Sequence, residues 1–152
     1  MSTALLPELT RVDRFILVAA VVAAPLFWLM AFLYWQPPFD PGWPFDDLRR
    51  FLFLVVFVPA IEELCFRGVL QPYLLSKTTK TFCRQYISLA NLLTSALFAA
   101  MHLLQHSLLW SIATFIPSLL FGWLRERTGR TWPAAAMHVY FNFGFFYFLD
   151  AL

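Results

Sequence analysis

Five apolar stretches dominate this sequence, each about as long as a bilayer is thick: Phe15 to Trp35, Phe51 to Leu75, Tyr86 to Leu104, Ser107 to Leu124 and Trp132 to Leu149. A helix needs about 20 largely apolar residues to cross the hydrocarbon layer. Composition points the same way, with 61% hydrophobic and only 13% charged residues, where a soluble domain carries about 25% charged. So few charges cannot coat a water-soluble surface. The net charge of +2 leaves no broad basic face for nucleic acid. Two cysteines, Cys65 and Cys83, are too few for a disulfide framework or a cysteine-built zinc cluster. The expectation is an all-α, polytopic transmembrane helix bundle of about five spans, forming a single integral membrane domain over residues 1–152.

The punctuation between stretches fits this reading. Gln36-Pro37-Pro38-Phe39-Asp40-Pro41-Gly42-Trp43-Pro44 cannot continue a helix. Thr128-Gly129 closes the fourth stretch, and Thr131-Trp132-Pro133 reads as a cap with proline in the first turn of the fifth. The first stretch is too long for a signal-peptide core and lacks a small-x-small cleavage site, so it is expected as a mature helix. Basic residues favour cytoplasmic loops. Arg11 and Arg14 precede the first stretch; Lys77, Lys80 and Arg84 follow the second; Arg125, Arg127 and Arg130 follow the fourth. Asp40, Asp46 and Asp47 lie in the loop between the first two, and only Arg49 and Arg50 dissent. That pattern predicts a cytoplasmic N-terminus.

Three formal charges interrupt the apolar stretches, and they fall within six residues: Glu62, Glu63 and Arg67. An ionisable group at the bilayer centre costs about 2.5–3.5 kcal/mol on insertion scales, so the three need compensation. Glu63 and Arg67 stand at i, i+4 and can pair on one face. Glu62 points about 100° away round a helix and needs another partner. His102 and His138 are the candidates. His138 and Asn142 share the i, i+4 spacing, as do Phe98 and His102. Each feature also has a bland reading: a structural ion pair, packing histidines, an interhelical asparagine, or an Arg67 that snorkels from a helix end. Their coincidence on three helices of so charge-poor a chain favours a site.

Two carboxylates and two imidazoles round a cavity suit water activation, because a glutamate kept from bulk solvent is a competent base near neutral pH. Pro59, three residues before Glu62, removes a backbone donor and is expected to kink or restart the helix. A further imidazole and an amide could donate to an oxyanion formed from an attacked carbonyl.

Glu62-Glu63-Leu64-Cys65-Phe66-Arg67-Gly68 resembles the EExxxR(G) motif of the CPBP intramembrane proteases, the family of CaaX prenyl proteases and bacteriocin-processing enzymes. Phe98-Ala99-Ala100-Met101-His102 is similar to its FxxxH motif, and His138-Val139-Tyr140-Phe141-Asn142 to its HxxxN motif, in the family's order. The resemblance implies a glutamic-type endopeptidase with a motif-bearing core over about residues 51–150, acting on a protein or peptide substrate at the lipid bilayer. Carried over, Glu62 and His102 hold and activate the water, Glu63 and Arg67 form the supporting pair, and His138 and Asn142 stabilise the oxyanion. No cofactor is implied. The chain is small for the family, so a homo-oligomer or partner completing the cavity is a further expectation. Its size is similar to that of small bacterial members associated with C-terminal sorting tails, the JDVT-CTERM type among them, a lead on the substrate; a bacterial inner membrane is the expected location.

Two other readings stay open on the residues alone. Glu62 or Glu63 with His102 and His138 would make an open catalytic-zinc set, and His106 adds an H-x3-H spacing. Intramembrane Glu, Arg and His also serve proton passage or non-catalytic scaffolds that bind partner helices. CaaX tails, bacteriocin leaders and sorting-tail proteins would all present an extended backbone to the same water.

Overall fold

A computed structural model describes residues 9–83 and 86–149. Helix dominates: α1 (Arg11–Trp35), α2 (Trp43–Asp46), α3 (Leu48–Leu52), α4 (Val58–Glu63), α5 (Gln71–Lys77), α6 (Leu89–His102), α7 (Leu108–Thr128) and α8 (Trp132–Leu149). Two π-helical segments, Phe53–Phe57 and Leu64–Leu70, flank α4. A two-residue hairpin, β1 (Thr81–Phe82) and β2 (Ile87–Ser88), pairs antiparallel with Thr81 opposite Ser88.

The all-α expectation holds. By length and apolar composition, α1 and α7 qualify as membrane-crossing helices among the described residues. The other expected spans are less regular. The second stretch is helical from Leu48 to Lys77 but passes through both π segments, and the third is shortened to the 14 residues of α6 because Tyr86–Ser88 turns into the hairpin. The fifth begins with α8 at Trp132 and is helical through the last described residue, Leu149. Several basic residues counted as loop residues sit in helices: Arg11 and Arg14 in α1, Lys77 in α5, Arg125 and Arg127 in α7. Arg84 lies outside the described residues.

The ends of the helices are chemically marked. Thr10 and Asp13 form a reciprocal capping box at the start of α1. Ser88 and Ser107 cap α6 and α7 by accepting from Asn91 N and Trp110 N. Gly129 closes α7 at φ +66°, in the left-handed region that a residue without Cβ occupies freely.

The described residues fall into two compact units: those up to Ala60 with those from Val139 onward, and Ile61–His138. In the first, Trp28 packs edge-on to Tyr140 at 5.2 Å and lies against Gly144, where an added Cβ would sit 2.2 Å from the indole. Tyr140 Oη donates to Val21 O at 2.8 Å, and Phe39 stacks on Phe148.

In the second unit α6 packs along α7. Gly122 makes their close approach possible, since a Cβ there would overlap Asn91 Oδ1. Asn91 in turn donates to Leu119 O and accepts from Ser95 Oγ. Nearby, Glu126 accepts from both Gln71 Nε2 and Ser88 Oγ at 2.6 Å, tying α5, the hairpin and α7 together.

Candidate active site

Glu62 and Glu63 end α4, and Arg67 lies in the π segment that follows. Glu63 and Arg67 are fully buried. Arg67 Nη1 donates to Glu63 Oε1 at 2.9 Å, the i, i+4 pair the spacing predicts. Its other arm, Nη2, donates to Ser118 O and Ser118 Oγ on α7. The guanidinium also lies over the rings of Phe98, at 4.9 Å from its centroid, and Phe121, at 5.5 Å. A planar fork engaged on two sides and stacked on aromatic faces suits arginine, not lysine. Arg67 therefore does not snorkel to a helix end; it is anchored in the interior.

The adjacent glutamates differ. Glu63 Oε1 also faces His138 Nδ1 at 3.0 Å, so Glu63 stands between Arg67 and His138. The Glu62 side chain is 29% exposed, and His138 Nε2 stands 3.7 Å from its Oε2. That separation is too long for a hydrogen bond. Glu63 is held in place, while Glu62 is accessible to a small polar molecule.

The two histidines are fixed in a common way. His102 Nδ1 lies 2.9 Å from Phe98 O, and since a carbonyl only accepts, Nδ1 carries the proton. This leaves Nε2 of a neutral His102 as the free acceptor, the tautomer a water-binding base requires. His138 directs Nδ1 to the Glu63 carboxylate and Nε2 toward Glu62. Its ring stacks on Phe121 at 4.8 Å and meets Phe98 edge-on at 5.7 Å. Phe98 thus packs against Phe66, His102, His138 and Arg67 together. Both histidines lie within electrostatic reach of the Glu62 carboxylate.

Asn142 belongs to the first unit, where its Nδ2 donates to Leu54 O at 3.3 Å. Ser118, Phe121 and Arg125 are contributors that the sequence reading passes over. Their one legible signal is the small-residue spacing of Ser118 and Gly122 along α7, which marks a face open to close packing.

The zinc alternative finds little support in the donor set. Among the described residues no group of three or more His, Cys, Asp or Glu side chains is arranged to hold a metal ion. His106 stacks on the His102 ring at 5.8 Å between centroids. Cys65 and Cys83 are both free and exposed.

Comparison with known proteins accords with the geometry. No curated protein and no solved structure matches the chain. A family model, the type II CAAX prenyl endopeptidase Rce1-like domain, matches residues 43–144, which takes in all three motifs and about two thirds of the sequence. The chain therefore belongs to the Rce1-like family of type II CAAX prenyl endopeptidases.

Proposed function

We propose that this protein is an intramembrane endopeptidase of glutamic type, hydrolysing a peptide bond of a membrane-associated protein or peptide. The observation that carries the reading is the unequal pair of glutamates: Glu63 is locked between Arg67 and His138, while Glu62 is partly exposed and, among the described residues, has no partner within hydrogen-bonding distance. Water held between Glu62 and His102 Nε2 loses a proton to Glu62 as its oxygen attacks the scissile carbonyl. The carbonyl oxygen becomes an oxyanion. By the family resemblance His138 and Asn142 are the residues that donate to it, Asn142 through the Nδ2 hydrogen not used on Leu54 O. When the C–N bond breaks, the proton on Glu62 passes to the leaving amine, which restores the carboxylate. Glu63 and Arg67 touch neither water nor substrate; they set the position of His138 and of the helix that carries Glu62.

This chemistry requires no metal. A farnesylated peptide ending in a CaaX sequence, offered to the detergent-purified protein, tests the reading through release of the terminal tripeptide. The expected result is cleavage by the wild type and none by Glu62→Gln. Equal cleavage by both proteins would remove Glu62 from the mechanism.

A further inference from the structure

Both π segments end in the same way, and a proline explains why. In the first, Val58 N–H reaches back five residues to Phe53 O. The next rung would run from residue 59 to Leu54 O, but residue 59 is proline and has no N–H. In the second, Gln71 N–H reaches back five residues to Phe66 O. The next rung would run from residue 72 to Arg67 O, and residue 72 is again proline. Each π ladder therefore breaks one rung before the α register resumes, and each break strips a donor from one particular carbonyl.

Side chains from other helices reach both of those carbonyls. Arg125 Nε, from α7, donates to Arg67 O at 2.9 Å. Asn142 Nδ2, from α8, donates to Leu54 O at 3.3 Å. In an apolar surrounding a backbone acceptor has no water to turn to, and a neighbouring side chain is a recognised means of re-satisfying a carbonyl freed by proline. π segments are themselves rare and concentrate at functional sites. Here they bracket α4, which carries Glu62 and Glu63.

We infer that Arg125 and Asn142 are positioning residues that supply the backbone hydrogen bonds Pro72 and Pro59 cannot, and so hold the two π segments flanking the glutamates. Arg125 carries the stronger case. It acts on the main chain of Arg67, the residue whose side chain holds Glu63. The inference stands on backbone accounting and does not depend on the peptidase reading.

The test is a cycle that returns the missing N–H. Arg125→Ala, Pro72→Ala and the double variant are purified in detergent beside the wild type. Thermal unfolding is followed, together with the carbonyl resonance of Arg67. Arg67-Gly68 is the sole Arg-Gly dipeptide in the sequence, so carbonyl-labelled arginine with amide-labelled glycine isolates that one signal. Arg125→Ala is expected to lower the unfolding midpoint by about 3–6 °C and to shift the Arg67 carbonyl signal. In the Pro72→Ala background the same substitution should lower the midpoint by less than half as much and leave the signal nearly unmoved. Equal losses in the two backgrounds, or an unmoved carbonyl signal in Arg125→Ala alone, would overturn the inference. Should Pro72→Ala not fold, the carbonyl signal of Arg125→Ala still decides. The Pro59→Ala and Asn142→Ala cycle then supplies the midpoint comparison.

Discussion

At the scale of single residues, the proposed mechanism divides the site between groups that meet a reactant and groups that hold still. Glu62→Gln or His102→Ala removes a group assigned to the water, and either should lower cleavage by about 10²–10⁴-fold while thermal unfolding in detergent stays near wild type. A turnover close to wild type in either variant would eliminate the assignment. Arg67→Ala acts differently, because it leaves Glu63 buried beside His138 without its guanidinium. Removing one partner of a buried pair costs about 3–5 kcal/mol, so the expected outcome is lost folding along with lost activity, read as a large drop in denaturant midpoint. The motif residues were legible because charges are scarce: Glu62, Glu63 and Arg67 stand out in an apolar stretch, and Phe98–His102 and His138–Asn142 each stand at i, i+4. Ser118 was not legible. It contributes through a backbone carbonyl as well as its hydroxyl, and no side-chain pattern announces a carbonyl.

Between elements, the closest packing is that of α6 on α7, and it depends on Gly122. A methyl group there would overlap the Asn91 amide, which is anchored at both ends by Leu119 O and Ser95 Oγ and has nowhere to move. Gly122→Ala should therefore destabilise the protein by about 1–3 kcal/mol, measured as a fall in the unfolding midpoint, and a neutral result would show that the two helices can separate freely. Helix limits followed the sequence well where caps and breakers are strong, as at Ser107, Gly129 and Trp132, whereas α1 starts at Arg11 and not at the expected Phe15. They failed at Tyr86, where an aromatic residue reads as part of an apolar helix but the chain pairs with Thr81-Phe82 in a hairpin. The π segments were also invisible: proline at position 59 announces a break, yet nothing in the local residues says that the ladder widens before it.

For the whole molecule, the two ends of α6 offer a test of the orientation expected from the basic residues. Cys83 precedes that helix and Leu104 follows it, so the two positions emerge on opposite sides if α6 crosses the membrane. With Cys65 replaced by serine, a membrane-impermeant thiol reagent should modify Cys83 in inverted vesicles and not in intact cells. A cysteine placed at Leu104 should behave in the opposite way. Cys83 labelled from outside intact cells would reverse the topology argued from the basic residues. Chelation offers a second global test: activity should survive it, and elemental analysis should find no stoichiometric metal. One bound zinc whose removal abolishes activity and whose return restores it would overturn that expectation.

The brevity of α6 has a consequence for the lipid around it. Fourteen residues rise about 21 Å, roughly 9 Å less than a hydrocarbon layer of about 30 Å. A helix that much shorter than its solvent draws the two leaflets together or lets headgroups and water sink toward its end. The end in question is His102. Were α6 to cross the bilayer, the membrane beside this residue would be thin, and a substrate of the proposed peptidase would cross less oil there than in the bulk bilayer. Cleavage should then run faster in bilayers of short-chain than of long-chain phosphatidylcholine, since thicker lipid must be deformed further to meet the same helix.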